Sequence, residues 1–230
     1  MKPFIMSVDL GTMSDYTAIS IIQESFHRRN DRSPMDFAEG MPGTITLERS
    51  YDLRFLEQPK LRTPYEEIVQ RVYDLIMSPE LKDRVDLVVD ATGLGRPVIE
   101  MMRSKGLSPI PITITVGQDI TEDREGGYHV GKYDLVSSLQ AWWAMGRLRM
   151  SSKIPLMPKL LTELEGFVPK RSSKGHVTYE AIKESIHDDL VISLAMAVWY
   201  AQFSRPWQHK FDMTPGNNPD FDYNPFEYLD

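Results

Sequence analysis

The chain has 230 residues, of which 41% are hydrophobic and 26% are charged, a balance typical of a globular protein with one main core. Cysteine is absent, which excludes disulfides, thiolate metal sites and thiol nucleophiles. The formal net charge of −7 argues against a strongly basic nucleic-acid binder. Five of the acids lie in residues 212–230, which contain no Lys or Arg, and no apolar run is long enough to span a membrane.

The first half of the chain predicts three antiparallel strands followed by a strand–helix–strand unit. The predicted elements are strands at 3–10, 16–24 and 44–55, a helix at 64–78, a strand at 85–90, a helix at 98–105 and a strand at 109–114. Thr63 is expected to cap the first helix, with Pro64 as its first residue. The strand–helix–strand spacing implies a parallel crossover connection.

The second half predicts helices and one hairpin. Four glycines predict a loop over 117–131. The elements expected after it are helices at 132–145 and 156–167, a hairpin of 168–171 with 176–181, and a last helix at about 187–203. The fold class expected is therefore α/β, with a mixed sheet of five or more strands flanked by helices. Residues 1–204 are expected to form the domain, and residues 205–230 an acidic, aromatic-containing flexible tail.

Four aspartates occupy positions that suit a metal site. Asp9 ends the first strand, Asp90 ends the fourth, and Asp188 and Asp189 begin the last helix. Ligands of open α/β sheets gather at the carboxyl ends of strands, so adjacent parallel first and fourth strands would place Asp9 beside Asp90. Taken singly, each acid also fits a structural role as a turn former or helix cap. Together they predict a site for Mg²⁺ or Mn²⁺, ions that prefer oxygen ligands.

Three segments carry a resemblance to a known family. Val8–Asp9–Leu10–Gly11 with Asp15–Tyr16, then residues 89–95 and 187–191, resemble the nuclease domain of the large terminase subunit of tailed bacteriophages. The resemblance covers roughly residues 3–203. It implies a ribonuclease H-like fold and an endonuclease that cuts double-stranded, concatemeric viral DNA during genome packaging in the cytoplasm of the bacterial host.

The resemblance also implies roles for individual residues. Asp9, Asp90 and Asp188 become metal ligands, and Asp189 is a possible alternative to Asp188. Two Mg²⁺ or Mn²⁺ ions about 4 Å apart would activate a water and stabilise the leaving oxygen. Asp15 becomes a supporting acid or an exposed turn residue.

Basic residues and partners complete the expectation. Lys132, Arg171 and Lys174 are expected to contact the DNA phosphate backbone. His187, beside the acid pair, is either a proton shuttle or a packing residue. The partners that the family implies are a portal, a small terminase subunit or an ATPase motor domain.

The chain departs from the family pattern in two ways. Ile192 stands where family members often carry another acid, which leaves open whether Asp188 or Asp189 faces the metal. No Gly-x-x-x-x-Gly-Lys-Ser/Thr phosphate loop is present, so the chain is either an excised domain or a protein without a motor.

Three other functions remain open from the residues alone. Asp9–Leu10–Gly11–Thr12 also suits the phosphate loop of an actin-like ATP-dependent phosphotransferase, although that fold usually needs two such domains. A Holliday-junction resolvase or a ribonuclease H would use the same metal site on another substrate. A docking module that kept the fold is the non-enzymatic alternative, and clustered carboxylates without a metal argue against it.

Overall fold

The structure is a computed structural model that describes residues 2–12, 14–28, 47–93, 95–116, 120–123, 126–171, 177–181 and 187–203. The strands are β1 (Phe4–Asp9), β2 (Ala18–Arg28), β3 (Leu47–Glu57), β4 (Val85–Asp90), β5 (Pro109–Thr115), β6 (Thr121–Glu122), β7 (Tyr128–Gly131), β8 (Leu148–Met150), β9 (Phe167–Arg171) and β10 (Val177–Ala181). The helices are α1 (Tyr65–Ile76), α2 (Gly95–Ser104), α3 (Lys132–Ala144), α4 (Met157–Gly166) and α5 (Asp189–Phe203).

Eight strands of the described chain form one mixed sheet in the order β6-β7-β5-β4-β1-β2-β3-β8. β1 pairs antiparallel with β2 and parallel with β4, and β4 pairs parallel with β5. The prediction of a mixed α/β sheet with parallel first and fourth strands is therefore confirmed. The predicted hairpin also exists, as the antiparallel pair of β9 and β10.

Alternate residues of β1 enter two separate cores, because successive strand residues point to opposite faces of a sheet. Phe4, Met6 and Val8 join the core that contains residues of α1 and α2, whereas Ile5 joins the core that contains α5. Both faces of β1 are thus covered, which explains why its sequence is apolar apart from Ser7 and Asp9. Asp9 follows the parity of Ile5 and so belongs to the α5 face.

Helix α5 is the central helix of its core. Nearly all of its residues are buried, and it packs across β1 and β2. Ser193 Oγ lies 3.0 Å from both Ser7 O and Ser20 Oγ, so one hydroxyl ties the helix to both strands. These polar contacts hold α5 in one position along the sheet.

The short strands of the sheet differ from the sequence predictions. The predicted loop over 117–131 is wrong in part, because Tyr128–Gly131 pairs with β5 and Thr121–Glu122 pairs with β7. Strand β8, which pairs with β3, was not predicted. Segments of two to four residues are too short to show an alternating pattern, and pairing with longer neighbours supplies their hydrogen bonds.

The predicted cap of α1 is also wrong. Thr63 Oγ1 donates to Lys60 O at 2.7 Å and closes the preceding turn, so Pro64 takes the cap position and the helix begins at Tyr65. Elsewhere in the described ranges, no helix combines the length and the apolar character that a membrane crossing requires. The predicted boundary at residue 204 and the tail after it lie outside the described residues.

Candidate metal and catalytic site

Parallel pairing of β1 with β4 brings Asp9 and Asp90 to the same edge of the sheet. Val8 lies opposite Val89, so the next residue of each strand is an aspartate. Asp90 shares the parity of Val88, which lies in the α5 core, and both acids therefore lie on the α5 face. Their carboxyl groups are close enough to share a hydrogen bond.

Two glycines allow the chain to turn sharply beside this pair. A Cβ at Gly11 would collide with backbone atoms of Asp15 and Tyr16, where the chain folds back towards β2. A Cβ at Gly95 would collide with the carbonyl oxygen of Asp90, where α2 begins against the end of β4. The glycines that follow the two acidic motifs are therefore required by close backbone approach.

The loop after β4 orients Asp90. Thr92 N donates to Asp90 Oδ1 at 2.8 Å, and Thr92 Oγ1 accepts from Ile114 N at 2.9 Å. Asp90 is only 8% exposed, so its carboxylate is held between the ends of β4 and β5. A buried and oriented acid at a strand end suits a ligand better than a solvated turn.

The start of α5 supplies the other two acids. Asp188 precedes the helix, and its Oδ2 contacts the ammonium group of Lys132 at the start of α3. Asp189 is 6% exposed, and its Oδ2 lies 3.5 Å from Gln58 Nε2 and 3.9 Å from His187 Nδ1. The two neighbouring acids thus face different partners.

The four carboxylates influence one another electrostatically. Burial raises the pKa of Asp9 well above its ordinary value, and the negative charges of Asp90, Asp189 and Asp188 raise it further, against a smaller opposite effect of Lys132. Asp9 keeps part of its surface exposed, but protein atoms surround its carboxyl group. The charged form of Asp9 is therefore disfavoured at this edge unless a cation compensates it.

Burial also raises the pKa of the other enclosed acids. It raises the pKa of Asp90, against hydrogen bonds from Thr92 and Asp9 that lower it. It raises the pKa of Asp189 to about 6, with His187 opposing the shift and Asp188 adding to it. An edge with this much unfavourable negative charge is one that a cation would stabilise.

The donor set fits a hard divalent ion in chemistry but is not fully assembled. All four side chains are carboxylates, the oxygen ligands that Mg²⁺ and Mn²⁺ prefer. Among the described residues, however, no three His, Cys, Asp or Glu side chains are close enough to hold one ion together. Asp9 and Asp90 form a ready pair, whereas the Asp188 carboxylate is engaged by Lys132.

The structure assigns positions to the other predicted site residues. Lys132 lies inside the acidic site, at the start of α3. Arg171 ends β9, opposite Val177, and Lys174 lies outside the described residues.

Asp15 is exposed, and its Oδ2 accepts from Thr12 Oγ1 at 2.8 Å, so it shapes the turn after β1. The ring of His187 packs edge-on against Tyr16 at 5.3 Å.

Sequence reasoning missed a set of side chains that support the acids from α4 and β3. Lys159 contacts Gln58 Oε1, and its ammonium lies 4.8 Å from the centre of the Tyr16 ring. Glu163 is 2% exposed and contacts the first turn of α5. Burial raises the pKa of Glu163 to about 7. No sequence signal marks these residues, because they come together only when α4 packs beside α5.

Comparisons with known proteins concern the fold. No protein-family model and no curated protein matches the sequence. Among solved structures, the large terminase nuclease of thermophilic phage G20c is 21% identical and covers 86% of this chain and 81% of its own, with a TM-score of 0.56. The nuclease domain of the large terminase subunit of bacterial virus Sf6 is 13% identical, covers 85% and 87%, and also has a TM-score of 0.56.

A third solved structure is a longer protein. The large terminase of bacteriophage HK97 is 14% identical and matches 87% of this chain with 40% of its own length, at a TM-score of 0.52. The G20c nuclease has been solved with bound magnesium, and the Sf6 domain with manganese. The likeness at these identities is one of fold. It confirms that this chain has the ribonuclease H-like fold of large terminase nuclease domains.

Proposed function

We propose that this chain is a divalent-metal-dependent endonuclease that hydrolyses phosphodiester bonds of double-stranded DNA. The observation that carries the proposal is that Asp9 and Asp90 meet at one sheet edge, with Asp188 and Asp189 near enough for their negative charges to add to burial in raising the pKa of Asp9. Such a cluster is unfavourable unless a cation uses it. The likeness to terminase nuclease folds that have been solved with magnesium or manganese supports the same conclusion.

Within this proposal, Asp9, Asp90 and Asp188 hold Mg²⁺ or Mn²⁺, with Asp189 as the alternative to Asp188. A bound pair of such ions would supply a water nucleophile and Lewis acidity. Asp9 and Asp90 offer adjacent oxygens, and Thr92 keeps Asp90 turned to the edge. The ammonium of Lys132, beside Asp188, would meet a DNA phosphate.

The biological substrate proposed is concatemeric viral DNA, cut during genome packaging in the cytoplasm of a bacterial host. Residues 1–204 would act as the nuclease domain, and Arg171 and Lys174 of the β9–β10 hairpin would contact the DNA backbone. This chain matches 40% of the length of the HK97 large terminase, which supports the proposal that it works as one domain beside a motor domain. A portal or a small terminase subunit is a further proposed partner.

Plasmid cleavage tests the proposal. The purified chain should nick and linearise plasmid DNA with Mn²⁺ or Mg²⁺, and Asp90→Ala should lower the rate by more than about a hundredfold, since even supporting residues of metal sites cost 10–100-fold. Asp86→Ala is the matched control, because Asp86 lies on the same strand but pairs with Lys2 at 3.4 Å, far along β4 from the acidic edge.

The same assay separates the alternatives. Cleavage that persists in EDTA would contradict the metal mechanism. Activity only on four-way junctions or only on RNA–DNA hybrids would reassign the substrate to that of a resolvase or a ribonuclease H. Consumption of ATP in the presence of a sugar, without DNA cleavage, would favour the phosphotransferase.

A further inference from the structure

The first turn of α5 is capped by a side chain from another helix. Ile192 N donates to Asp188 O at 2.9 Å, so Asp188 is the residue that precedes the helix and would ordinarily cap it. An aspartate at this position usually turns its carboxylate back to accept the second or third amide of its own helix. Those amides belong to Leu190 and Val191.

Both of these amides are already taken by Glu163 of α4. Its Oε2 accepts from Leu190 N at 3.0 Å and from Val191 N at 3.3 Å. Within the described residues, the Asp188 carboxylate forms no hydrogen bond with its own helix and contacts Lys132 instead. A carboxylate 27 residues away in the sequence therefore performs the capping that Asp188 would otherwise perform.

The environment of Glu163 suits this positioning role better than a direct ligand role. The residue is 2% exposed, and its other oxygen, Oε1, is buried with no partner in the described part of the chain. One oxygen accepts from two amides, and the other has no hydrogen-bond partner among the described residues. The hydrogen bonds of Glu163 therefore connect it to the site through the start of α5.

We propose that Glu163 is a positioning residue: by capping α5 from α4, it releases the Asp188 carboxylate from its own helix and leaves it available to the edge that holds Asp9 and Asp90. The functional part of this inference rests on the proposed metal-dependent nuclease. If the cap is lost, Asp188 turns back to Leu190 and Val191, the fold persists, and the third carboxylate leaves the site.

A double-mutant cycle in urea unfolding tests the capping without any metal. Glu163→Met keeps the length and volume but removes the acceptor, and Glu163→Gln, the matched control, keeps an acceptor oxygen. Asp188→Ala should raise the unfolding constant roughly fivefold more in the Glu163→Met background than in the wild type, because only there does Asp188 cap the helix. In the Glu163→Gln background its effect should equal that in the wild type.

Additive effects of Glu163→Met and Asp188→Ala would overturn the proposal. Glu163→Asp provides a second route if the Met variant does not fold. It keeps the charge but is one methylene too short to reach both amides, and it should show the same coupling to Asp188→Ala. Equal effects of Asp188→Ala in all four backgrounds would again overturn the proposal.

Calorimetric titration with Mn²⁺ tests the functional consequence. Glu163→Met and Glu163→Asp should weaken Mn²⁺ binding at least tenfold, in the range seen when residues that orient metal ligands are lost, whereas Glu163→Gln should stay within about twofold of wild type. Equal weakening by the Gln and Met variants would overturn the proposal, since a capping role requires only an acceptor. Absence of Mn²⁺ binding to the wild type would contradict the proposed nuclease, and the unfolding cycle alone would then decide the capping role.

Discussion

Charged side chains lie beside both ends of α5 but are arranged in opposite ways. Near the C-terminal end, Arg49 is ion-paired with Glu24, and its Nη2 donates to Ala201 O at 3.0 Å. On the other face of β3, Asp52 accepts from Arg149 Nη2 at 2.7 Å and from Arg54 Nη2 at 3.1 Å. Each acid there faces a guanidinium group.

At the N-terminal end of α5, two of the four acids face each other. A hydrogen bond from Asp9 lowers the pKa of Asp90, and the ammonium of Lys132 contacts Asp188. The pKa of Asp9, Asp90 and Asp189 is raised there, chiefly by burial. The comparison teaches that a buried acid with its own arginine depends on that partner, whereas buried acids without matching cations suit a site that binds a positive ion.

Removing Arg49 should have the largest effect on stability. The Arg49 and Glu24 side chains are 8% and 6% exposed, so Arg49→Met leaves a buried carboxylate unpaired and should lower the free energy of unfolding by about 3–5 kcal/mol. Urea unfolding measures this change. Arg103→Gln is the control, because the Arg103–Glu100 pair is exposed and should contribute less than about 0.5 kcal/mol. If both variants lose similar free energies of unfolding, the predicted difference between the buried and the exposed ion pair is wrong.

Neutralising Asp9 should stabilise the metal-free protein. Folding raises the pKa of the Asp9 carboxyl. Well below pH 4 the carboxyl is protonated in both the folded and the unfolded state and costs no stability. As pH rises through the folded pKa, its ionisation lowers the free energy of unfolding. Asp9→Asn should therefore be more stable than the wild type at pH 8, and this difference should disappear well below pH 4. Thermal unfolding across this range is the measurement.

Divalent ions should reverse the order of these two proteins. Mg²⁺ or Mn²⁺ should raise the unfolding temperature of the wild type at pH 8 and leave Asp9→Asn nearly unchanged, because binding to the folded state alone stabilises it. If Asp9→Asn is instead less stable than the wild type at pH 8 without metal, the Asp9 carboxylate stabilises the fold, and the contrast with the C-terminal end of α5 is wrong.

Removing Lys132 should have the smallest effect on stability. The Lys132 and Asp188 side chains are 40% and 29% exposed, so Lys132→Gln should change the free energy of unfolding by less than about 1 kcal/mol. Loss of a positive charge beside Asp188 should tighten Mn²⁺ binding severalfold, and loss of a phosphate contact should reduce the salt dependence of DNA binding by about one unit of slope. Lys153→Gln, at an exposed position after β8, should change neither quantity. Weaker Mn²⁺ binding in Lys132→Gln would contradict the view that its ammonium competes with a metal ion.

The sequence alone determined the order of the main elements and the positions of the four acids within them. An apolar run that ends in Asp, with a Gly two or three residues later, is a local pattern, and it correctly predicted that β1 and β4 end in Asp9 and Asp90. Their adjacency was a condition of the prediction and not a consequence of chain order, and the parallel pairing of β1 with β4 in the folded sheet supplies it. The short strands β6, β7 and β8 were missed because so few residues carry no periodic pattern.

The tertiary structure alone decided how the acids are held. Glu163 reaches α5 across 27 residues of sequence, and Lys132 reaches Asp188 across 56. No periodicity or motif links residues at such separations, because the contacts depend on how α3 and α4 pack against the start of α5. Strand and helix signals are local properties of the chain, whereas the partner of a buried charge is set by whichever element folds against it.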